Sequence, residues 1–181
     1  MKVIPADIPE VLILEPKVFR DSRGHFFESY NRRDFHEATG LNVEFVQDNE
    51  SLSARNVLRG LHYQIRQPQG KLMRVVVGEI YDVVVDLRRS SPTFGKWTSA
   101  ILSPGVRPMI WIPEGFAHGF LVLSEQAIVS YKTTDYYAPE HERTLAWNDR
   151  TVGVLWPLEG NPLLSDKDSQ GTALADAELF D

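Results

Sequence analysis

The chain has 181 residues, 43% of them apolar and 24% charged, with a formal net charge of −6 and no cysteine. That length suits one domain with its own core, spanning residues 1–181, and the negative balance argues against nucleic acid or an anionic membrane as main partner, since tracking phosphates needs surplus Lys and Arg. Without cysteine there is no disulfide, thiolate nucleophile or thiolate metal site.

The start, Met-Lys-Val-Ile-Pro-Ala-Asp, meets proline and aspartate before any run long enough for a secretory signal, and no later stretch approaches a membrane span, so the cytoplasm is the expected location. Val11 to Leu14 and Lys17 to Phe19 flank Pro16 and read as a bent or edge strand. Arg20 to Gly24 reads as a turn and His25 to Tyr30 as extended. Asn31 is placed to cap a short helix ending near Thr39, with Gly40 just beyond it and Phe35, Ala38 and Leu41 on its apolar side.

From there the periodicity is that of strands: Val43 to Val46, Val57 to Gln64, Leu72 to Val77, Ile80 to Leu87, Trp97 to Leu102, Met109 to Ile112, Gly119 to Leu123 and Ala127 to Thr133. So many short strands predict a mainly β sandwich or small barrel, with Gly78-Glu79 joining two Val-rich runs as a hairpin would. Near the C-terminus, Ser165 followed by Asp168 resembles a capping box ahead of Ala173, Leu174 and Ala177, a last short helix.

The stretch that invites chemistry is Val57-Leu-Arg-Gly-Leu-His-Tyr-Gln64 with Lys71 close behind. His62 there is either a hydrogen-bonded core histidine or a reactive group. Arg59, Gln64, Lys71 and Arg74 in the same apolar region favour reactivity, because burying so many polar groups without function costs desolvation. Simple alternation puts Arg59 and His62 on opposite faces of a strand, and they share a site only if Gly60 marks a bulge. Tyr131 could pack the barrel mouth or, as a phenol, return a proton to a basic carbanion. Asp168 could serve the first turn of the tail helix or a catalytic partner.

Trp111-Ile-Pro-Glu-Gly-Phe-Ala-His-Gly-Phe120 resembles the second signature of the cupin jelly rolls, whose histidine often binds metal. In the first signature the place of the second histidine is held by Gln64, and Arg66, Gln67 and Pro68 stand where a glutamate is expected. Only His62 and His118 remain, short of the usual ligand count, so no metal is expected.

With Gln47-Asp-Asn49, Arg59-Gly-Leu-His-Tyr-Gln64, the Trp111 to Gly119 run, Tyr131-Lys, Trp147-Asn-Asp149 and Leu164-Ser-Asp-Lys-Asp168 all present, the chain closely resembles the dTDP-4-dehydrorhamnose 3,5-epimerases, essentially end to end. The resemblance implies a cupin-type jelly-roll barrel working without metal or other cofactor. It implies inversion of C5 and C3 of dTDP-4-dehydro-6-deoxy-D-glucose through proton removal next to the C4 ketone. By position, His62 matches the base, Asp168 the carboxylate that orients it, Lys71 the oxyanion stabiliser and Tyr131 the acid.

Arg23, Glu28, Gln47, Asn49, Arg59, His118, Glu142 and Lys167 match positions that hold the nucleotide sugar. His25 and Glu50 depart from the family pattern at the nucleotide end. The family implies a homodimer in which the N-terminal segment, with Arg23, His25 and Glu28, reaches the neighbouring subunit's site. The readings to separate from this one are a mono-epimerase or ketoisomerase on a related sugar, a metal-dependent cupin, and a non-catalytic sugar-nucleotide binder.

Overall fold

In a computed structural model, described over residues 1–105 and 108–181, the chain forms two facing antiparallel sheets. In chain order the strands are β1 (Lys2–Pro5), β2 (Leu12–Glu15), β3 (Phe19–Asp21), β4 (Gly24–Phe26), β5 (Gln47–Ala54), β6 (Leu58–Gln64), β7 (Lys71–Val77), β8 (Ile80–Asp86), β9 (Trp97–Leu102), β10 (Met109–Ile112), β11 (Phe116–Val122), β12 (Gln126–Thr133) and β13 (Glu142–Thr144). The helices are α1 (Arg32–Thr39) and the single turn α2 (Asp166–Ser169). One sheet runs β1-β2-β10-β7-β12-β5, the other β13-β6-β11-β8-β9, and β3 and β4 form a separate hairpin. The fold is cupin-like and mainly β.

Apolar residues on the inner faces meet between the sheets, with Met73, Val75, Ile110, Val129, Val84, Phe116 and Phe120 among them. Each outer face carries its own cover. α1 lays Phe35 against Leu14, Leu72, Met109 and Trp111 of the first sheet. The C-terminal segment sets Leu174 and Ala177 against Leu61, Tyr63, Val83 and Val85 of the second. β8 is therefore buried on both faces, which is why it reads as an unbroken Val-rich run.

Asn31 caps α1 as its position promised, its side-chain oxygen accepting from the N–H groups of Arg33 and Asp34, and Gly40 closes the helix at φ 74°. Four expectations need correction. Gly78-Glu79 is not a hairpin: β7 pairs with β10 and β12 while β8 pairs with β11 and β9, so the turn carries the chain from one sheet to the other. β2 is not an edge strand, since it pairs with β1 on one side and β10 on the other, and Pro16 falls just past its end.

Val43 to Val46 is a connection whose Val43 and Phe45 pack with Phe35 and Trp111. The strand lies further on, in β5, and it was masked because its inner face is polar. The tail helix is one turn only, followed by a 3-10 turn at Leu174–Asp176. Asp168 does not return to the N-cap backbone as in a capping box; it accepts from the Ser165 hydroxyl at 2.7 Å and faces inward.

Candidate active site

The two sheets separate at one end around a cavity of about 360 Å³. The first sheet supplies Gln47, Asn49 and Ser51 from β5, Lys71 and Met73 from β7 and Tyr131 from β12; the second supplies Arg59, His62 and Gln64 from β6, His118 and Phe120 from β11 and Glu142 from β13. β5 reaches inward on alternate residues, as a strand must, and leaves Asp48, Glu50 and Leu52 exposed outside. Glu50 thus faces away from the cavity.

β6 would defeat the same logic if it were regular. His62 pairs with His118 across β11, but Arg59 pairs with Phe120, so β6 carries one extra residue in between. This bulge at Gly60 and Leu61 reverses the parity and puts Arg59 and His62 on one face. Gly60 has φ +120°, a Cβ there would lie 2.6 Å from Gly119 Cα, and its peptide bond to Leu61 is cis.

His62 Nε2 lies 2.6 Å from Asp168 Oδ1. Asp168 also accepts from the Gly60 N–H at 3.2 Å and from Ser165 Oγ, and it is 4% exposed. Burial alone would raise its pKa, but the bonds from His62, Ser165 and Gly60 outweigh this and hold it at about 2. It is therefore an anion at neutral pH, an acceptor that fixes the His62 proton on Nε2 and leaves Nδ1 as the ring's basic nitrogen. Burial lowers the His62 pKa, only partly opposed by Asp168, so the ring is a neutral base.

Lys71, on the other sheet, is pushed down to about 8 by burial, against the pull of Glu142 and Asp82, and stays largely cationic at neutral pH. Burial raises the Tyr131 pKa, which keeps the phenol protonated. The site thus holds a neutral base on one wall and a cation with a phenolic acid on the facing wall.

The polar rim is self-supporting. Glu142 accepts from Lys167 Nζ at 2.8 Å and from Tyr137 Oη at 2.8 Å. Burial would raise the Glu142 pKa, but these two donors hold it below the ordinary carboxylate value. Gln47 donates to Asn49 at 2.9 Å and accepts from the Tyr137 N–H, and Arg59 Nε donates to Ser53 at 2.9 Å. Gln64, which stands where a metal cupin has a ligand, is spent on a loop: its amide donates to Gln67 and Tyr136 carbonyls and accepts from the Ala138 N–H.

His62, Lys71, Tyr131, Gln47, Asn49, Arg59, His118, Glu142 and Lys167 therefore line one cavity, with Asp168 directly behind His62. Arg23 and Glu28 do not. Arg23 sits on the exposed β3–β4 hairpin paired with Asp21 at 2.6 Å, and Glu28 accepts from Asn31. His25 lies on the same hairpin with its ring 6.1 Å from that of Phe27.

The sequence reading missed Tyr137 and Gln69, which also line the cavity, and Asp82, which lies 2.7 Å behind His118. Tyr137 gave no signal beyond a Tyr-Tyr pair after a strand, whereas Asp82 was a carboxylate inside a valine run and could have been flagged.

Comparison with known proteins agrees over the whole chain. Residues 5–176 match the family model described as dTDP-4-dehydrorhamnose 3,5-epimerase. An enzyme of that name from Pseudomonas aeruginosa is 61% identical over 180 residues, covering 99% of each chain, and one from Shigella flexneri is 56% identical with 99% of each covered. A crystal structure of the dTDP-6-deoxy-D-glucose-3,5-epimerase from Legionella pneumophila, in complex with dTDP-4-keto-L-rhamnose, superposes with a TM-score of 0.95 at 47% identity. It covers 98% of this chain and 94% of its own.

Proposed function

The chain belongs to the dTDP-4-dehydrorhamnose 3,5-epimerase family, and from that premise we propose how its cavity inverts C5 and C3 of dTDP-4-dehydro-6-deoxy-D-glucose. Both carbons flank the C4 ketone, so loss of a proton gives an enolate, and return of a proton to the other face inverts the centre. His62 takes the proton through Nδ1, held by Asp168. Lys71 stabilises the charge that develops on the C4 oxygen, where a fixed cation in a dry site lowers the barrier most. Tyr131 returns the proton from the far side.

The observation that carries this reading is that His62 and the Lys71–Tyr131 pair stand on facing sheets, since inversion needs base and acid on opposite faces of the sugar. Gln47, Asn49, Arg59, His118, Glu142 and Lys167 hold the nucleotide sugar, the arginine fork suiting the diphosphate. Gln64 is committed to its loop, and His62 and His118 alone fall short of the usual ligand count, which supports chemistry without a metal. Arg23, His25 and Glu28 serve the cavity of a second copy in a homodimer, because none of them lines the cavity of its own chain. One jelly-roll unit spans residues 1–181 and works in the cytoplasm. Among the described residues no helix is long and apolar enough to cross a membrane.

Incubation with the keto sugar in deuterated water is expected to place deuterium at both C5 and C3. Label at one carbon alone would make this a mono-epimerase, and no label a binder. His62→Asn is expected to abolish exchange while dTDP still binds; undiminished exchange would remove His62 as the base.

A further inference from the structure

Asp82 is a carboxylate with no exposed surface, set on β8 between Tyr81 and Val83. Its Oδ2 lies 2.7 Å from His118 Nε2, while its Oδ1 is one of three buried side-chain oxygens with no hydrogen-bond partner among the described residues. A buried carboxyl group with one oxygen unpartnered is costly and calls for a compensating role. His118 is the register partner of His62 and lines the cavity beside it. The two imidazoles therefore stand side by side, each with Nε2 on a carboxylate, Asp168 from the tail and Asp82 from the core.

We propose that Asp82 is a positioning residue of the epimerase: it fixes the proton of His118 on Nε2 and turns the bare Nδ1 to the substrate. This rests on the reading of His118 given above. An ionised carboxylate only accepts, so the shared hydrogen must sit on the ring.

Two measurements test the assignment. In the unmodified enzyme at pH 8, the ¹⁵N resonances of the His118 ring, identified by their loss in His118→Gln, are expected to show a proton on Nε2 and none on Nδ1; a proton on Nδ1 overturns the proposal without any change to Asp82. Asp82→Asn, which keeps the shape, is expected to lower kcat/KM by about tenfold or more and to lose the exclusive protonation of His118 at Nε2, whereas Asp82→Glu, which keeps the carboxylate, is expected to retain that tautomer. Wild-type kcat/KM in Asp82→Asn overturns the proposal. If His62→Asn is inactive in the same assay, the catalytic reading survives that failure.

Discussion

At the scale of single residues, environment decides which of several plausible groups reacts. Burial makes His62 a neutral base, and the same burial brings Lys71 from 10.5 to about 8. The mechanism proposed above needs His62 unprotonated and Lys71 charged, so kcat/KM is expected to fall on the acid side with a midpoint below 6.5 and on the alkaline side above about 8. Tyr131, raised above its ordinary value, does not set the alkaline limb. A profile with no loss up to pH 10 would show that the Lys71 charge is not used.

Asp168 makes a second prediction. Its carboxyl is depressed from 3.8 to about 2, so its stabilising contribution is complete above 3.8 and disappears as pH falls through about 2. That contribution is on the order of 2 kcal/mol. Acid unfolding of Asp168→Asn is therefore expected to depend less steeply on pH across that window than in the wild type. At neutral pH the same variant is expected to lose activity by roughly 10²-fold or more, as a misoriented general base would.

At the scale of elements, β6 shows how one irregularity builds a site. The extra residue at Gly60 rotates Arg59 onto the face of His62, and the close approach of Gly119 Cα and His118 O, 2.6 and 2.8 Å from where a Cβ would stand, leaves no room for a side chain. Gly60→Ala is expected to lower thermal stability and to cut kcat/KM further than the stability loss explains, because it pushes apart the strands that carry both histidines. A variant with wild-type melting temperature and turnover would remove the bulge from the argument. β5 shows the converse. Its alternation is intact, but Gln47, Asn49 and Ser51 stand where a core strand would be apolar, so a hydrophobic period could not reveal it.

At the scale of the whole molecule, the cavity is built from both sheets and the tail of one chain, while Arg23 and Glu28 lie outside it. If the N-terminal segment completes a neighbour's site, a mixture of Arg23→Ala/Glu28→Ala and His62→Asn proteins, each poorly active, is expected to regain activity on subunit exchange. One of the two sites in the mixed dimer then carries neither lesion. No recovery after exchange, verified by native mass measurement, would place those residues in a site of their own chain or in none.

The sequence alone determined most of the strands, the capped helix α1, the family and the cavity's chemical inventory, because these depend on local periodicity, cap chemistry and runs of particular residues. It did not determine that Gly78-Glu79 crosses between sheets, since a tight turn looks alike whether its strands pair with each other or with distant ones. It left open whether Arg59 and His62 share a face, which depends on a register break visible only against β11. Asp168 could be named from its motif, but only the tertiary structure chose between helix turn and histidine partner, by bringing residues 106 positions apart to 2.6 Å. Asp82 stands out in the sequence only as a carboxylate inside a valine run, and nothing local says that it meets a histidine 36 residues further along the chain.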